Sequence, residues 1–171
     1  MGVRRKPETA RNVLGSLLAL AGATAAVWSP FRAWYDGREG RYYRFQDLFT
    51  GITGVRAGLA ESILLPLVFA AAVAVTGVVL RSRAAVATAG GLVLGFTILW
   101  MVRQGQALHG LSVSAYGNGL GVGVANAFGG GLLMLLGAAV MSGRRVPARR
   151  AEPEEDEEPP PARPMLDTPA D

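Results

Sequence analysis

Four long intervals of this chain contain no Asp, Glu, Lys, Arg or His, and they constrain its fold more than any other feature. The uncharged intervals are 12–31, 62–80, 84–102 and about 117–141. A bilayer core of about 30 Å is crossed by roughly 20 apolar residues in a helix. The pattern therefore predicts four membrane spans, at about 12–30, 58–80, 84–102 and 117–141.

The composition supports a membrane class rather than a water-soluble one. Half of the 171 residues are hydrophobic and 18% are charged, whereas a soluble domain carries about 25% charged residues. The chain has no Cys, so disulfides and thiolate sites are excluded. Its basic residues flank the apolar intervals instead of forming one clustered face, so nucleic-acid binding is not indicated.

These observations predict an all-α fold, a transmembrane four-helix bundle in one membrane domain at 12–142. A short basic N-terminus at 1–11 precedes it, and a larger extracytoplasmic loop at 31–56 joins the first two spans. The tail at 143–171 contains an acidic, Pro-rich stretch that cannot bury an apolar core, so the tail is expected to be disordered. An interaction of this acidic tail with a basic partner stays open as an alternative to a solvated tail.

The loop after the first span is the best candidate for an interaction surface. Asp36-Gly37 is a two-residue turn signal between aromatic stretches and predicts a short hairpin. Aromatic and basic side chains alternate here, which suits recognition of an anionic or protein partner. The alternative is an aromatic belt and a packed cap over the helices. The candidate surface residues are Trp34, Tyr35, Arg41, Tyr42 and Tyr43.

The distribution of Lys and Arg predicts the orientation. Four spans place both termini on one side, and that side has ten basic residues near the spans against six on the other. The positive-inside rule therefore predicts a multi-pass cell-membrane protein with both termini in the cytoplasm. A cleavable signal peptide is the rival interpretation of the first apolar segment, since Ala23-Thr24-Ala25 resembles a small-residue cleavage site. Trp28, beyond that site, suits an uncleaved span.

Polar residues near or within the spans are few. Glu61 is either an ion or proton site or an interfacial carboxylate that pairs with Arg56 or Arg103. Asn126 lies inside the fourth span, where an amide binds a substrate or joins two helices by a hydrogen bond. His109 is the single histidine, and metal sites need several ligands. We therefore expect no catalytic residues, no metal site and no cofactor.

The chain resembles a class of uncharacterised small four-span integral membrane proteins of high-GC bacteria. The residues that carry the resemblance are Trp34-Tyr35-Asp36-Gly37, Asp47-Leu48-Phe49-Thr50-Gly51 and Trp100-Met101-Val102. It covers roughly residues 13–141 and implies a membrane location without a known activity, so no functional residue is carried over. The layout also resembles claudin-like proteins, but the paired Cys of their first loop is absent here.

The functional expectation is a non-enzymatic membrane protein of the cell envelope, an accessory or interaction subunit. Its expected partners are the lipid bilayer and an envelope protein, with no nucleic acid. The alternative is a small transporter or channel subunit that acts as a homo-oligomer and uses Glu61, Arg103 and Asn126. A membrane enzyme is a third interpretation, disfavoured because the spans lack acids and bases.

Overall fold

The computed structural model describes residues 6–108, 110–111 and 119–141. Most of these residues are helical, so the expected all-α class is confirmed, with one small hairpin added. The α-helices are α1 (Lys6–Trp28), α2 (Asp47–Thr50), α3 (Leu64–Val79), α4 (Arg83–Leu108) and α5 (Val122–Val140). The hairpin pairs β1 (Ala33–Tyr35) with β2 (Arg38–Glu39), and short 3-10 helices cover Ser29–Phe31, Gly40–Tyr42 and Leu59–Glu61. The predictions for 1–5, His109 and the acidic tail fall outside the described residues.

Three helices are long and apolar enough to cross a membrane, and a fourth is apolar but shorter. The three are the segment Glu8–Phe31 around α1, then α4 and α5. The shorter helix, α3, has 16 residues, about 24 Å at 1.5 Å per residue. Helix α4, with 26 residues, is about 39 Å long and exceeds a bilayer core.

The four longer helices pack side by side as a ring in which α1 contacts α3 and α5, and α4 contacts the same two neighbours. Helices α1 and α5 are antiparallel and meet through glycines: Gly15 lies against Gly137, and Gly22 lies against Gly130. A methyl group added at Gly137 would lie 2.6 Å from the Gly15 carbonyl oxygen. The two backbones therefore touch directly, as small residues permit in membrane helices.

The second span differs from its predicted limits of 58–80. A helix that began near residue 58 would contain Pro66 in its interior and bend there, but α3 begins only at Leu64. Pro66 is therefore in the first turn, where backbone N–H groups have no intrahelical acceptor. The missing N–H of proline costs no helical hydrogen bond there, and the residues before Leu64 join the loop instead.

The two GxxxG pairs seen in the sequence lie in different surroundings. Gly91 and Gly95 on α4 are exposed, and a methyl group added to either would meet nothing within 4 Å. Gly123 lies instead against the Trp34 side chain at the start of α5. Glycines spaced seven apart pack α1 against α5, and the α4 glycine that contacts α5 is Gly90, not Gly91 or Gly95.

Residues 29–63, here called the cap, fold over the ends of the helices. The Asp36-Gly37 turn has positive φ at both residues, 44° and 75°, as a two-residue hairpin of type I′ requires. The strand β1 also bonds to the segment before α5, since Gly121 N–H donates to the Trp34 carbonyl oxygen at 2.9 Å. Residues 34–35 and 120–121, which are far apart in the sequence, therefore lie side by side in the structure.

Candidate functional site

Three aromatic side chains form the base of the cap. Trp34 and Tyr43 each stack edge to face on Trp100 of α4, with ring centroids 4.9 Å and 5.3 Å apart. All three are at most 2% exposed, and Trp34 Nε1 donates to the Ser29 carbonyl oxygen at 2.9 Å. Such aromatic pairs add about 0.5–1.5 kcal/mol each beyond area burial, so this cluster fixes the cap on α4.

Arg38 joins two segments of the cap by hydrogen bonds. Its Nη2 donates to the carbonyl oxygens of Tyr42 at 2.8 Å and Val55 at 2.9 Å, and its Nη1 donates to that of Thr53 at 3.2 Å. The guanidinium also lies 4.2 Å from the centre of the Tyr43 ring. Hydrogen bonds to a charged group are each worth about 1.5–3 kcal/mol, so Arg38 ties the loop 51–57 to the hairpin.

Burial and charge act in opposite directions on Tyr43. Burial of its phenol raises the pKa, while the positive charge of Arg38 lowers it, and burial dominates. The resulting pKa of Tyr43 is about 12. The Tyr43 ring therefore serves the cap as a neutral packing group at physiological pH.

Asp47 also holds the loop 51–57, through hydrogen bonds from Thr53. It is 3% exposed, and its Oδ2 accepts hydrogen bonds from the Thr53 Oγ1 at 2.8 Å and the Thr53 N–H at 3.1 Å. The neighbouring Leu48 is 1% exposed, whereas Phe49 is 55% exposed. The short helix α2 thus turns its leucine into the core and its phenylalanine outward.

An open, polar cleft of about 430 Å³ lies beside Arg38. Asp36 and Glu39 from the hairpin face it, together with Arg38, Tyr42 and Arg56. Three of these charged groups already have partners. Arg38 bonds to backbone carbonyls, Glu39 forms an ion pair with Arg41, and Asp36 Oδ1 accepts a hydrogen bond from the Gly119 N–H at 2.6 Å. Arg56 is exposed and lies over the Tyr42 ring, 5.0 Å from its centre.

The predicted interaction surface separates into buried and accessible parts. Trp34, Tyr35 and Tyr43 are 1%, 7% and 2% exposed, so their side chains belong to the core and not to the surface. Arg41 and Tyr42 are half-buried, and Tyr42 lines the cleft. Sequence reasoning did not single out Arg56 as part of this surface, although its position in a basic, aromatic loop was a usable signal.

The three polar positions proposed for a transport path have different partners. Glu61 is exposed and pairs with Arg44 at 3.4 Å, not with Arg56 or Arg103. Arg103 donates to the carbonyl oxygens of Leu48 at 2.9 Å and Phe49 at 3.2 Å. These contacts give Glu61 and Arg103 roles in closing the cap.

Asn126 is half-buried on α5, and its side chain makes no hydrogen bond to another described residue. The buried face of α4 is mostly apolar, and its Thr97 donates back to the Val93 carbonyl oxygen at 2.7 Å. The described helices therefore bring no shared polar site together around Asn126.

The described residues hold no group of three or more His, Cys, Asp or Glu that could bind a metal ion. What the cleft can do chemically is non-covalent: it offers a polar ligand the exposed guanidinium of Arg56, beside a phenol and two carboxylates that already have partners. No protein-family model, no curated protein and no solved structure matches the chain.

Proposed function

We propose that this chain is a multi-pass, non-enzymatic membrane protein of the cell envelope, an accessory subunit that binds a protein partner through its cap. Its four longer helices form a membrane four-helix bundle with both termini in the cytoplasm, which puts the cap on the outer side. The resemblance to small four-span proteins of high-GC bacteria belongs to the same proposal. The ten-to-six excess of basic residues supports this orientation.

One observation carries the proposal: the cap is rigidly built yet leaves a polar cleft open. Arg38, Asp47 and Trp34 use their polar atoms within the cap, so they hold shape. Arg56, by contrast, presents its guanidinium at the cleft without an ion pair among the described residues. It lies beside Tyr42, whose hydroxyl accepts a hydrogen bond from Arg41 at 3.0 Å. Tyr and Arg are the residue types enriched at protein interfaces, and an acidic side chain of a partner would suit Arg56.

Site-specific crosslinking tests the proposal. A photoactivatable residue is placed at Arg56 in the cleft and, as a matched control, at Thr50, which is exposed on the cap outside the cleft. We expect one reproducible envelope protein to be crosslinked in cells from position 56 and not from position 50. Absence of any reproducible product from position 56, or the same products from both positions, would refute the cleft as the binding surface.

A further inference from the structure

A second cleft, of about 240 Å³, opens between α1 and α3 at the end of the helices opposite the cap. Both polar and apolar side chains line this cleft. Thr9, Asn12 and Ser16 on α1 line it with polar side chains, and Arg81 lines it just beyond the end of α3. The apolar walls are Val13, Leu17 and Val78. Val13 and Leu17 are 54% and 60% exposed, so this surface is open to the surroundings of the helices.

Arg81 occupies an unusual backbone position. Helix α3 ends in a Schellman motif, in which Ser82 N–H donates to the Gly77 carbonyl oxygen at 2.8 Å and Arg81 N–H to that of Val78 at 3.1 Å. This motif places Arg81 in the left-handed region, with φ 53°. Glycine is the usual residue there because a side chain is crowded in that conformation. An arginine at this position needs a reason other than the turn.

The side chain of Arg81 has no role within the described fold. It is exposed and takes part in no ion pair or hydrogen bond to another described residue. Its guanidinium is therefore available beside the apolar side chains of Val13, Leu17 and Val78 that line the same cleft. Arginine binds phosphate through two parallel N–H donors, and basic clefts between membrane helices hold anionic lipid head groups.

We propose that this cleft binds an anionic phospholipid, with the phosphate on Arg81 and an acyl chain along Val13, Leu17 and Val78. Asn12 and Ser16 lie beside the head group. The inference rests on the membrane embedding proposed above and is independent of the cap. In the proposed orientation the lipid belongs to the cytoplasmic leaflet, where anionic lipids attract basic groups.

The test uses the purified full-length chain in detergent and compares phosphatidylglycerol with phosphatidylcholine as added lipid. Native mass spectrometry counts retained lipid, and thermal unfolding gives stability with and without lipid. Arg81→Gly relieves the left-handed backbone, so we expect equal or higher stability without lipid. We also expect about a tenfold loss of phosphatidylglycerol retention, the consequence of losing one charge-assisted contact.

Arg83→Ala is the matched control, because it removes the same charge two residues away, at the start of α4 and outside the cleft lining. We expect it to retain phosphatidylglycerol as the unaltered chain does. Ser16→Leu fills the cleft without changing its charge and should lower retention in the same way as Arg81→Gly. Equal losses in both arginine variants would overturn the proposal, since general surface charge would then suffice.

Two further results would also overturn it. Retention by Arg81→Gly equal to that of the unaltered chain would remove Arg81 from the site. Stabilisation by glycerol phosphate equal to that by phosphatidylglycerol would make free phosphate, and not a lipid, the ligand. A chain that is folded and monomeric in buffer without detergent would instead disprove the membrane embedding, which is a separate outcome.

Discussion

At the scale of single residues, the cap depends on side chains whose polar atoms form hydrogen bonds to other residues of the cap. Arg38 is the clearest case: in sequence it is one of several arginines in an aromatic loop, and in the structure it joins three backbone carbonyls from two segments. The bonds at Thr53 and Val55 cross 15 and 17 residues of chain. The alternation of Arg with aromatic residues in the sequence could not distinguish an arginine that stabilises the cap from one that binds a partner.

Replacing Arg38 with lysine should loosen the loop 51–57. A lysine ammonium is a point charge without the planar fork of a guanidinium, so it cannot reach three carbonyls at once. We expect a loss of about 1.5–3 kcal/mol in the stability of the cap. Limited proteolysis in detergent should then cut the loop faster. The control Arg32→Lys, at an exposed position, should leave the cleavage rate unchanged. Equal cleavage rates in both variants would contradict a structural role for the Arg38 hydrogen bonds.

Alkaline pH should weaken the cap through Tyr43. Its pKa rises from 10.0 to about 12 on folding, so its contribution to stability is complete below pH 10 and is lost as the pH rises through 12. The expected slope between these values is about 1.4 kcal/mol per pH unit. Ultraviolet titration of the phenolates in detergent should show one late-titrating tyrosine.

Tyr43→Phe should remove that late transition, whereas Tyr42→Phe, on the half-buried neighbouring ring, should leave it in place. A late transition that persists in Tyr43→Phe would assign it to another phenol. It would also contradict burial of the Tyr43 ring as the cause of the raised pKa.

At the scale of elements, glycine position decides which helices touch. Gly15 and Gly22 on α1 face Gly137 and Gly130 on α5 at backbone contact distance. Spacing by seven keeps both glycines of a helix on one face. The Gly91 and Gly95 pair in α4 has the familiar spacing by four but contacts none of the neighbouring helices.

Alanine substitutions distinguish the two kinds of glycine. In Gly22→Ala the new methyl would lie 2.9 Å from the Met134 amide nitrogen and closer still to the Gly130 carbonyl oxygen. We expect destabilisation by about 1–3 kcal/mol in thermal unfolding in detergent. Gly91→Ala meets no neighbour within 4 Å, so it should be neutral or stabilise by up to about 1 kcal/mol. Equal effects of the two changes would contradict the described packing.

The same contact bears on the rival signal-peptide interpretation. Cleavage near Ala25 would remove nearly all of α1 and expose the glycine face of α5 that it covers. We therefore expect the mature protein to keep α1. Protein sequencing of the membrane-extracted chain should find the residues of α1 that precede Ala26. A mature chain that begins near Ala26 would show that α5 packs without α1.

At the scale of the whole molecule, the helices and the cap make one topology testable. A reporter fused after Asp171 should be active only if it works in the cytoplasm. The same reporter inserted at the exposed Asp36-Gly37 turn should be active only if it works outside. Both results follow from the proposed orientation, which rests on the ten-to-six excess of basic residues in the sequence. Cytoplasmic activity at the Asp36-Gly37 turn would reverse the proposed orientation.

The sequence by itself determined the helical class, the apolar segments and the hairpin turn. Each of these is a local property: lack of charge over about 20 residues, or positive φ tolerated at Asp36 and Gly37. The beginning of α3 was predicted too early because Pro66 is compatible with both a kinked helix and a first turn. Local propensity cannot choose between them, since the choice depends on where the preceding residues pack.

Only the tertiary structure decided which residues of the cap are scaffold and which are surface. Trp34, Tyr35 and Tyr43 have the composition of an interaction surface but lie in the core, while Arg56 remains accessible in the cleft. Burial depends on contacts between segments far apart in the chain, such as the stacking of Trp34 and Tyr43 on Trp100. The sequence pattern therefore located this region, and long-range packing selected the side chains it exposes.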